Sequence, residues 1–331
     1  MMTVVRYMRC AIALILCTAV FQLWVHRSDK LARTSVATAD NMELHVNKSS
    51  GKPLTNLTSV SVVNVVLPAS FQPRYEKFPC RKMTLTNMTF PICHFTGDYI
   101  SAFLARGKYY EGGLVSRFVR LLRLDRQLQL IDIGANIGVY SLPAARVAHV
   151  IAVEPNWRAM LRLAKSVDLG GVSSNITLVH NAVHSDRRTV SMSITPGNQG
   201  GGRLTKCKLT PNKSCDTSVL ASVRTILLND LLPLTRSKSA LIKVDVEGHE
   251  ADIFTEPSAG QFFDQVDVPS VELEWVFCKR RSAHIVQRLI NFFYSRNYTA
   301  FTLRNTKLET HYRSWPYNIM FKKGNRTDIV L

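Results

Sequence analysis

Residues 128–146 read LQLIDIGANIGVYSLPAAR. The apolar run at the start, interrupted by the single acid Asp132, is typical of a central strand in a parallel sheet. Gly134 and Gly138 follow it and predict a tight turn, in which the backbone can approach a ligand without hindrance from a Cβ atom. The segment therefore predicts a strand, a ligand-binding turn and a helix.

Predicted strands and helices alternate along the rest of the chain from about residue 99. Further strands are indicated by HVIAVEPN, ITLVHNAV, ALIKVDVEGHE and VPSVELEWVF, with helical segments between them. This alternation predicts a Rossmann-like α/β fold, a doubly wound and mostly parallel sheet with helices on both faces. Ligands of such sheets bind beyond the carboxyl ends of the strands. The site is therefore expected just after Ile133, Val153, Val183, Val246 and Leu273.

The spacing of the glycine turn excludes the common nucleotide patterns. The dinucleotide pattern G-x-G-x-x-G would need glycine where Asn136 and Ser141 stand, and no G-x-x-x-x-G-K-S/T phosphate loop is present. Glu154 ends the second strand 20 residues after Gly134, where a carboxylate can accept both hydroxyls of a ribose. These residues predict an adenosine ligand without a pyrophosphate, such as S-adenosylmethionine, with Asp132 and the turn backbone facing its amino-acid tail.

A second polar cluster lies in IKVDVEGHE, residues 242–250. Lys243, Asp245 and Glu247 alternate along the predicted fourth strand and its exit, so we expect them on one face. A cation buried among carboxylates is costly unless it is paired, which makes the cluster a candidate functional site. The alternative is an internal salt bridge, involving Lys243 or Glu250, that ties the strand to its loop.

The order and spacing of IDIGANIGVYS, VIAVEPN, NAV and LIKVDVEGHE resemble those of the FkbM-type methyltransferase family, over roughly residues 110–325. The family comprises S-adenosylmethionine-dependent O-methyltransferases with a Rossmann-like fold. The segment TPGNQGGGRL, residues 195–204, matches the glycine- and asparagine-containing segment that the family carries between strands three and four, and KCKLTPNKSC after it indicates a local insertion. The resemblance implies that the cofactor is bound by Asp132, Gly134, Asn136, Gly138 and Glu154, with Asn181 or Ala182 near the adenine.

Methyl transfer to a weakly nucleophilic hydroxyl requires a base or a metal. His249 and Asp245 are the predicted candidates for the base, and Lys243 can serve only if its pKa is depressed. Glu272 and Glu274 end the neighbouring strand on one shared face, and together with Asp245 they predict an oxygen-ligand site for Mg²⁺ or Mn²⁺. The alternative is that one of the two glutamates pairs with Lys243 or with an arginine.

The N-terminal segment predicts a membrane anchor. Residues 1–9 form a short basic tail, and residues 10–25 carry no charge; as a helix they span about 24 Å, which suits a thin early-secretory bilayer. We predict an uncleaved signal anchor, with a signal peptide cut after Ala19 as the alternative. Residues 26–75 predict a flexible lumenal stem, in which SVSVVNVVL can form a strand, and residues 76–331 a lumenal methyltransferase domain.

N-x-S/T sequons and cysteines agree with this topology. Asparagines that receive N-linked glycans lie on the lumenal side of the membrane. The sequons therefore predict a single-pass type II protein of the Golgi or endoplasmic reticulum. An oxidising lumen permits local bridges Cys80–Cys93 and Cys207–Cys215, with Cys278 left over, although the sequence does not decide the connectivity. No cysteine or histidine spacing predicts a structural zinc. All seven sequons follow the apolar segment, at Asn47, Asn56, Asn87, Asn175, Asn212, Asn297 and Asn325.

The charge composition of the chain helps to predict which substrate receives the methyl group. The chain has 42 Lys and Arg against 24 Asp and Glu, a net charge of +18, which indicates an anionic partner or a generally basic surface. Because a protein in the predicted lumenal location does not meet nucleic acid, we expect the anionic partners to be acidic glycans or membrane headgroups. We therefore predict O-methylation of a glycan hydroxyl. The alternatives are methylation of a lipid or small metabolite, and a catalytically inactive lumenal binding protein with a methyltransferase fold; the oligomeric state stays open.

Overall fold

The computed structural model describes residues 60–63, 78–195, 197–205, 219–309 and 311–324. The helices are α1 (Tyr99–Ala105), α2 (Gly112–Leu124), α3 (Ser141–Ala144), α4 (Trp157–Gly170), α5 (Glu250–Phe254), α6 (Ala259–Gln265), α7 (Trp275–Cys278) and α8 (Ala283–Tyr294). The strands are β1 (Val62–Val63), β2 (Cys80–Leu85), β3 (Met88–Cys93), β4 (Leu128–Ile133), β5 (Val150–Val153), β6 (Ile176–Val179), β7 (Ala182–Val183), β8 (Thr189–Thr195), β9 (Asn198–Thr205), β10 (Val219–Ile226), β11 (Ser239–Val244), β12 (Asp267–Glu274), β13 (Tyr298–Thr302) and β14 (Asn318–Lys323).

The main sheet has the strand order β1-β6-β5-β4-β11-β12-β14-β13. Strands β6, β5, β4, β11 and β12 run parallel, whereas β14 is antiparallel to both β12 and β13. Strand β4 lies between β5 on one side and β11 on the other, so the chain reverses its winding direction there. Such a switch point is where open α/β sheets bind ligands.

Both faces of the main sheet are covered, as predicted. Successive residues of β4 enter different apolar clusters: Leu130 belongs to the cluster that includes α2 and α4, and Ile131 to the cluster that includes α5, α6 and α8. Local signals delimit the helices. The Asn156 side chain accepts the backbone N–H of Arg158 at the start of α4, and Gly171, with φ of 61°, ends it. The predicted α/β class with a large, mostly parallel sheet is confirmed.

A smaller sheet and a hairpin were not predicted from the sequence. The smaller sheet has the order β7-β10-β8-β9, so the predicted third strand is divided between two sheets. The hairpin pairs β2 with β3 and is closed by a disulfide between Cys80 and Cys93, one of the two bridges that the sequence permits. Cys278 is free and buried, whereas the other predicted bridge, Cys207–Cys215, lies outside the described residues.

The predicted cytosolic tail, the anchor and most of the stem lie outside the described residues. Within the stem, Val62–Val63 pairs with β6 as an edge strand of the main sheet, and the Ser61 N–H donates to Asn181 Oδ1 over 2.8 Å. At these residues the apolar run forms the strand that its composition permits. In the part of the chain that is described, no helix has the length and apolarity needed to cross a membrane.

Candidate active site

A cavity opens at the carboxyl ends of β4, β5 and β11, where the sheet topology places a ligand. It encloses about 990 Å³, counting the space open to solvent at its mouth. The predicted site residues in its wall are Gly134, Asn136, Glu154, Asn181, Ala182, Asp245, His249 and Glu274. The predicted site residues outside its wall are Asp132, Gly138, Lys243 and Glu272.

Gly134 lets two strand exits approach each other. Its φ is +83°, and a Cβ atom at this position would collide with the carbonyl oxygen of Asp245. The Gly134 N–H donates to Val153 O over 2.9 Å, and the Asp245 N–H donates to Ile133 O over 3.0 Å. The turn after β4 therefore touches both neighbouring strand exits. Gly138, with φ of +92°, packs instead against leucine side chains of α3 and α4, which gives it a structural role.

Glu154 anchors the turn from the end of β5. Its carboxylate is 3% exposed and accepts the backbone N–H groups of Asn136 and Asn156, each over 2.7 Å. Burial raises the pKa of Glu154 to about 8, although these two N–H groups oppose the shift. Each carboxylate oxygen has a second lone pair, so Glu154 can still accept the ribose hydroxyls that the sequence assigns to it.

The glycine-rich segment forms β9 and covers the turn. A Cβ atom on Gly200 would overlap the side-chain amide of Asn136, so this side chain lies directly against the backbone of Gly200. Gly200 N–H donates to Asp98 Oδ1 over 3.2 Å, and the Asn156 side chain donates to Gln199 O over 2.7 Å. These contacts hold the segment in the wall of the cavity.

Asn181 and Ala182, which are predicted to lie near the adenine, line the cavity. The Asn181 side chain accepts the Ser61 N–H over 2.8 Å and donates to Arg224 O over 3.1 Å. It is fully buried. The Asn181 amide thus joins the edge strand and β10 to this part of the wall.

Lys243 is the cation at the centre of the carboxylate cluster. Its Nζ atom lies 3.2 Å from Asp245 Oδ2, 3.9 Å from Asp132 Oδ1 and 4.9 Å from the centroid of the Tyr140 ring. Burial alone would lower the pKa of Lys243, but the negative charges of Asp245 and Asp132 outweigh it and raise the pKa. The depressed pKa that Lys243 would need as a base is therefore absent from this arrangement.

Asp132 lies beneath the turn rather than in the cavity. It is fully buried, and its Oδ2 atom accepts the Ser141 hydroxyl over 2.6 Å at the start of α3. Burial raises the pKa of Asp132, and the charge of Lys243 opposes this shift. The predicted contact between Asp132 and the amino-acid tail of a ligand is not supported by this placement.

The predicted Mg²⁺ or Mn²⁺ site does not fit the structure. Within the described part of the chain, Asp245, Glu272 and Glu274 do not converge as a group of metal ligands. Sheet register places Lys243 directly beside Glu272, so an ammonium group supplies the positive charge here. Burial raises the pKa of Glu272, and it raises that of Glu274 to about 9.

His249 is paired with Asp252, an acid that was not predicted from the sequence as a site residue. His249 Nδ1 lies 2.9 Å from Asp252 Oδ2, and Arg281 donates to both oxygens of Asp252 over 3.0 Å. Burial alone would raise the pKa of Asp252, but the hydrogen bonds from His249 and Arg281 lower it well below its usual value. Asp252 is therefore a fixed carboxylate behind a histidine that lines the cavity.

His184 completes a group with His249 and Asp252. Ligand atoms of the three side chains lie within 4.8 Å of one another, close enough to hold a metal ion. Arg281 already balances the charge of Asp252, and the two histidine rings have centroids 5.4 Å apart. The arrangement suits a hydrogen-bonded histidine better than a cation site.

The fold and the cavity define a methyltransferase-like α/β domain with a glycine turn after the parallel strand β4 in the cavity wall. The family model described as the methyltransferase FkbM domain matches residues 132–299, just over half of the chain, and the chain belongs to this family. The family implies S-adenosylmethionine as the cofactor. No curated protein sequence matches the chain.

Solved structures with similar folds include several methyltransferases. A precorrin-6y C5,15-methyltransferase from Geobacter metallireducens is 15% identical, with 64% of this chain and 89% of that chain covered and a TM-score of 0.33. The methyltransferase FkbM from Methylobacillus flagellatus is 14% identical over 59% of this chain and 43% of that one, with a TM-score of 0.38. An O-methyltransferase from Thermotoga maritima is 9% identical over 77% and 82%, with a TM-score of 0.36. The classification rests on the family match.

Proposed function

We propose that the protein is an S-adenosylmethionine-dependent O-methyltransferase that acts on a glycan hydroxyl in the secretory pathway. The observation that carries the proposal is that one cavity is lined by the turn residues Gly134 and Asn136, by Glu154 and by His249. When bound, S-adenosylmethionine supplies a methyl group from its positively charged sulfur. Gly134 and Asn136 would hold it from the turn, and Glu154 would accept its ribose hydroxyls.

His249 is the general base of this proposal. Because Asp252 Oδ2 lies 2.9 Å from Nδ1, the carboxylate favours the tautomer that carries its proton on Nδ1. Nε2 of His249 is then the lone-pair nitrogen that accepts the proton of the acceptor hydroxyl. Asp252 stabilises the resulting imidazolium by its negative charge, as the acid of a catalytic triad does.

Asp245 and Lys243 orient the acceptor. Asp245 lines the cavity and is held from behind by the Lys243 ammonium at 3.2 Å. A carboxylate fixed in this way can accept a hydrogen bond from a hydroxyl of the substrate that receives the methyl group, without changing its own position. We therefore assign positioning to Asp245 and proton removal to His249.

The secretory address and the membrane anchor remain part of the proposal. Asn87, Asn175 and Asn297, the sequon residues that the structure describes, are all exposed. The Cys80–Cys93 disulfide is a bond typical of oxidising compartments. Both observations support a lumenal domain, in which the acceptors are glycans or other hydroxyl compounds of the secretory pathway.

The test is methyl transfer from radiolabelled S-adenosylmethionine by the full chain purified in detergent. Glycans released from secretory glycoproteins and a lipid extract are the two acceptor pools. We expect label in the glycan pool, and His249→Gln should reduce the rate by about 100-fold or more, with the Kd for S-adenosylhomocysteine unchanged. His284→Gln is the matched control because His284 is exposed on α8 and does not line the cavity.

Each failure has a separate meaning. Label in the lipid pool alone would replace glycan by lipid as the acceptor. Binding of S-adenosylhomocysteine without transfer to any acceptor would favour the binding protein. Absence of such binding would overturn the methyltransferase proposal, and full activity of His249→Gln would remove the assigned base.

A further inference from the structure

Tyrosine rings line the cavity beside the residues predicted from sequence. Tyr99 and Tyr317 line it although their residues are 58% and 55% exposed. Tyr99 packs edge-on against Tyr110, with ring centroids 6.0 Å apart, and Phe103 lies 5.4 Å and 5.6 Å from these two rings. Neighbouring rings thus hold an aromatic face at the mouth of the cavity while leaving much of it open to solvent. Amphipathic rings in such a position serve binding more than folding.

Carboxyl groups stand beside these rings. The Tyr317 hydroxyl donates to Glu274 Oε1 over 2.6 Å, and Asp245 lines the same wall. Glu274 is only 8% exposed, and its Oε2 atom has no hydrogen-bond partner among the described residues. A buried polar atom without a partner is unfavourable, and a hydroxyl-bearing ligand in the cavity can supply the partner.

The wall is polar but close to charge balance. Asp245 is paired with Lys243 at 3.2 Å and Glu247 with Arg203 at 3.1 Å. Burial and the charge of Asp245 raise the pKa of Glu274 to about 9, which favours its protonated form. Of the residues that the structure describes, no lysine or arginine lines the cavity.

This balance discriminates between acceptors by charge. An anionic substituent would lose its hydration in the cavity without gaining a cation, and a cationic one would not find an unpaired carboxylate beside the tyrosines. Either case leaves a desolvated charge without compensation, which is costly. An uncharged ring bearing several hydroxyls meets hydrogen-bonding groups and aromatic faces at no such cost.

We infer that Tyr99, Tyr110 and Tyr317, with the carboxyl groups of Asp245 and Glu274, form an acceptor subsite for an uncharged sugar ring. The inference rests on the proposed function and names the class of acceptor within it. The tyrosine rings pack against the C–H face of the sugar, and the carboxyl groups bond its hydroxyls. Because no lysine or arginine among the described residues lines this wall, we expect the subsite to prefer an uncharged ring over an acidic sugar.

The first test compares acceptors of different charge. The full chain in detergent receives radiolabelled S-adenosylmethionine and the methyl glycosides of glucose, galactose and mannose, of the matching uronic acids, and of glucosamine. Binding of S-adenosylhomocysteine is measured in parallel. We expect kcat/KM for a neutral glycoside to exceed that for its charged counterparts about tenfold or more. Preference for a uronic acid or for glucosamine, or no transfer to any neutral sugar while S-adenosylhomocysteine binds, would overturn the subsite and leave the methyltransferase proposal standing.

The second test removes one aromatic face. Tyr99→Ala should raise KM for the best neutral glycoside about tenfold, with the Kd for S-adenosylhomocysteine unchanged, and Tyr99→Phe should restore KM because it returns the ring. Tyr294→Ala is the matched control, since Tyr294 is 41% exposed on α8 and does not line the cavity. An unchanged KM in Tyr99→Ala would refute the stacking role. If the unmodified protein does not bind S-adenosylhomocysteine, that result would instead count against the proposed function.

Discussion

Replacing Gly134 by alanine tests the geometry on which the cavity depends. Gly134 has φ of +83°, and the added Cβ atom would collide with the carbonyl oxygen of Asp245. This oxygen belongs to the backbone, so rotation of a side chain cannot relieve the collision. The exit of β11 must move away from the turn after β4, and both segments line the cavity.

The expected loss of stability has two parts. A residue with a side chain held at positive φ costs about 1–2 kcal/mol. Separating the strand exits also weakens the hydrogen bonds from Gly134 N–H to Val153 O and from Asp245 N–H to Ile133 O, each worth about 1 kcal/mol net. We therefore expect Gly134→Ala to lower the free energy of unfolding by about 3–4 kcal/mol.

Urea denaturation measures this loss, and titration calorimetry with S-adenosylhomocysteine measures its effect on the site. Because the turn and Asp245 move apart, we expect the affinity to fall about tenfold or more. Gly113→Ala is the control: no atom lies within 4 Å of its added Cβ, and alanine in helix α2 should raise stability by about 0.5–1 kcal/mol. A Gly134→Ala protein as stable as the unmodified chain, with the same affinity, would refute the close approach.

Further predictions concern the acids and the disulfide. At pH 9, above the pKa of about 8 that burial gives Glu154, Glu154→Gln should weaken S-adenosylhomocysteine binding about tenfold or more and lower stability by about 2 kcal/mol, because its amide would face one of two backbone N–H donors; equal affinity would exclude the ribose role. Burial raises the pKa of Glu250 from 4.5 to about 7, so its neutral form stabilises the fold below pH 4.5, and this stability is lost as pH rises through 7, by up to about 3 kcal/mol. Urea melts from pH 4.5 to 8 should show a smaller slope for Glu250→Gln, and an unchanged slope would contradict this. Opening the 13-residue Cys80–Cys93 link with Cys80→Ala and Cys93→Ala should lower stability by about 3 kcal/mol; a melt that does not shift would contradict it.

The strand–turn–helix pattern was readable from sequence because its signals are local. Apolar runs define central parallel strands, and carboxyl ends of neighbouring parallel strands must meet at one edge. Gly134, Asn136 and Glu154 therefore fall in one cavity wall as expected. By contrast, Tyr99 and Tyr317 come from segments far apart in the chain, and no periodicity indicates that they meet. The pairing of β7 with β10 in the smaller sheet likewise joins segments that are distant in the chain, whereas the hairpin of β2 and β3 is local and was not predicted.

Asp252 was missed although the sequence contains its signal. It follows His249 by three residues at the start of α5, and side chains with this spacing on a helix are neighbours. Arg281 could not be anticipated in the same way, because it reaches Asp252 from beyond α7. The local partner of the histidine was predictable, whereas the residue that fixes this partner was not.

The carboxylates beside Lys243 show why residue type alone does not identify a metal site. Asp245, Glu272 and Glu274 are oxygen ligands at neighbouring strand ends, which is the pattern that magnesium sites use. The register of β11 and β12 sets Lys243 beside Glu272, so the chain itself contributes the cation. Burial then favours the protonated forms of the two glutamates. Of these two glutamates only Glu274 lines the cavity, where a protonated carboxyl group can form hydrogen bonds with an uncharged acceptor.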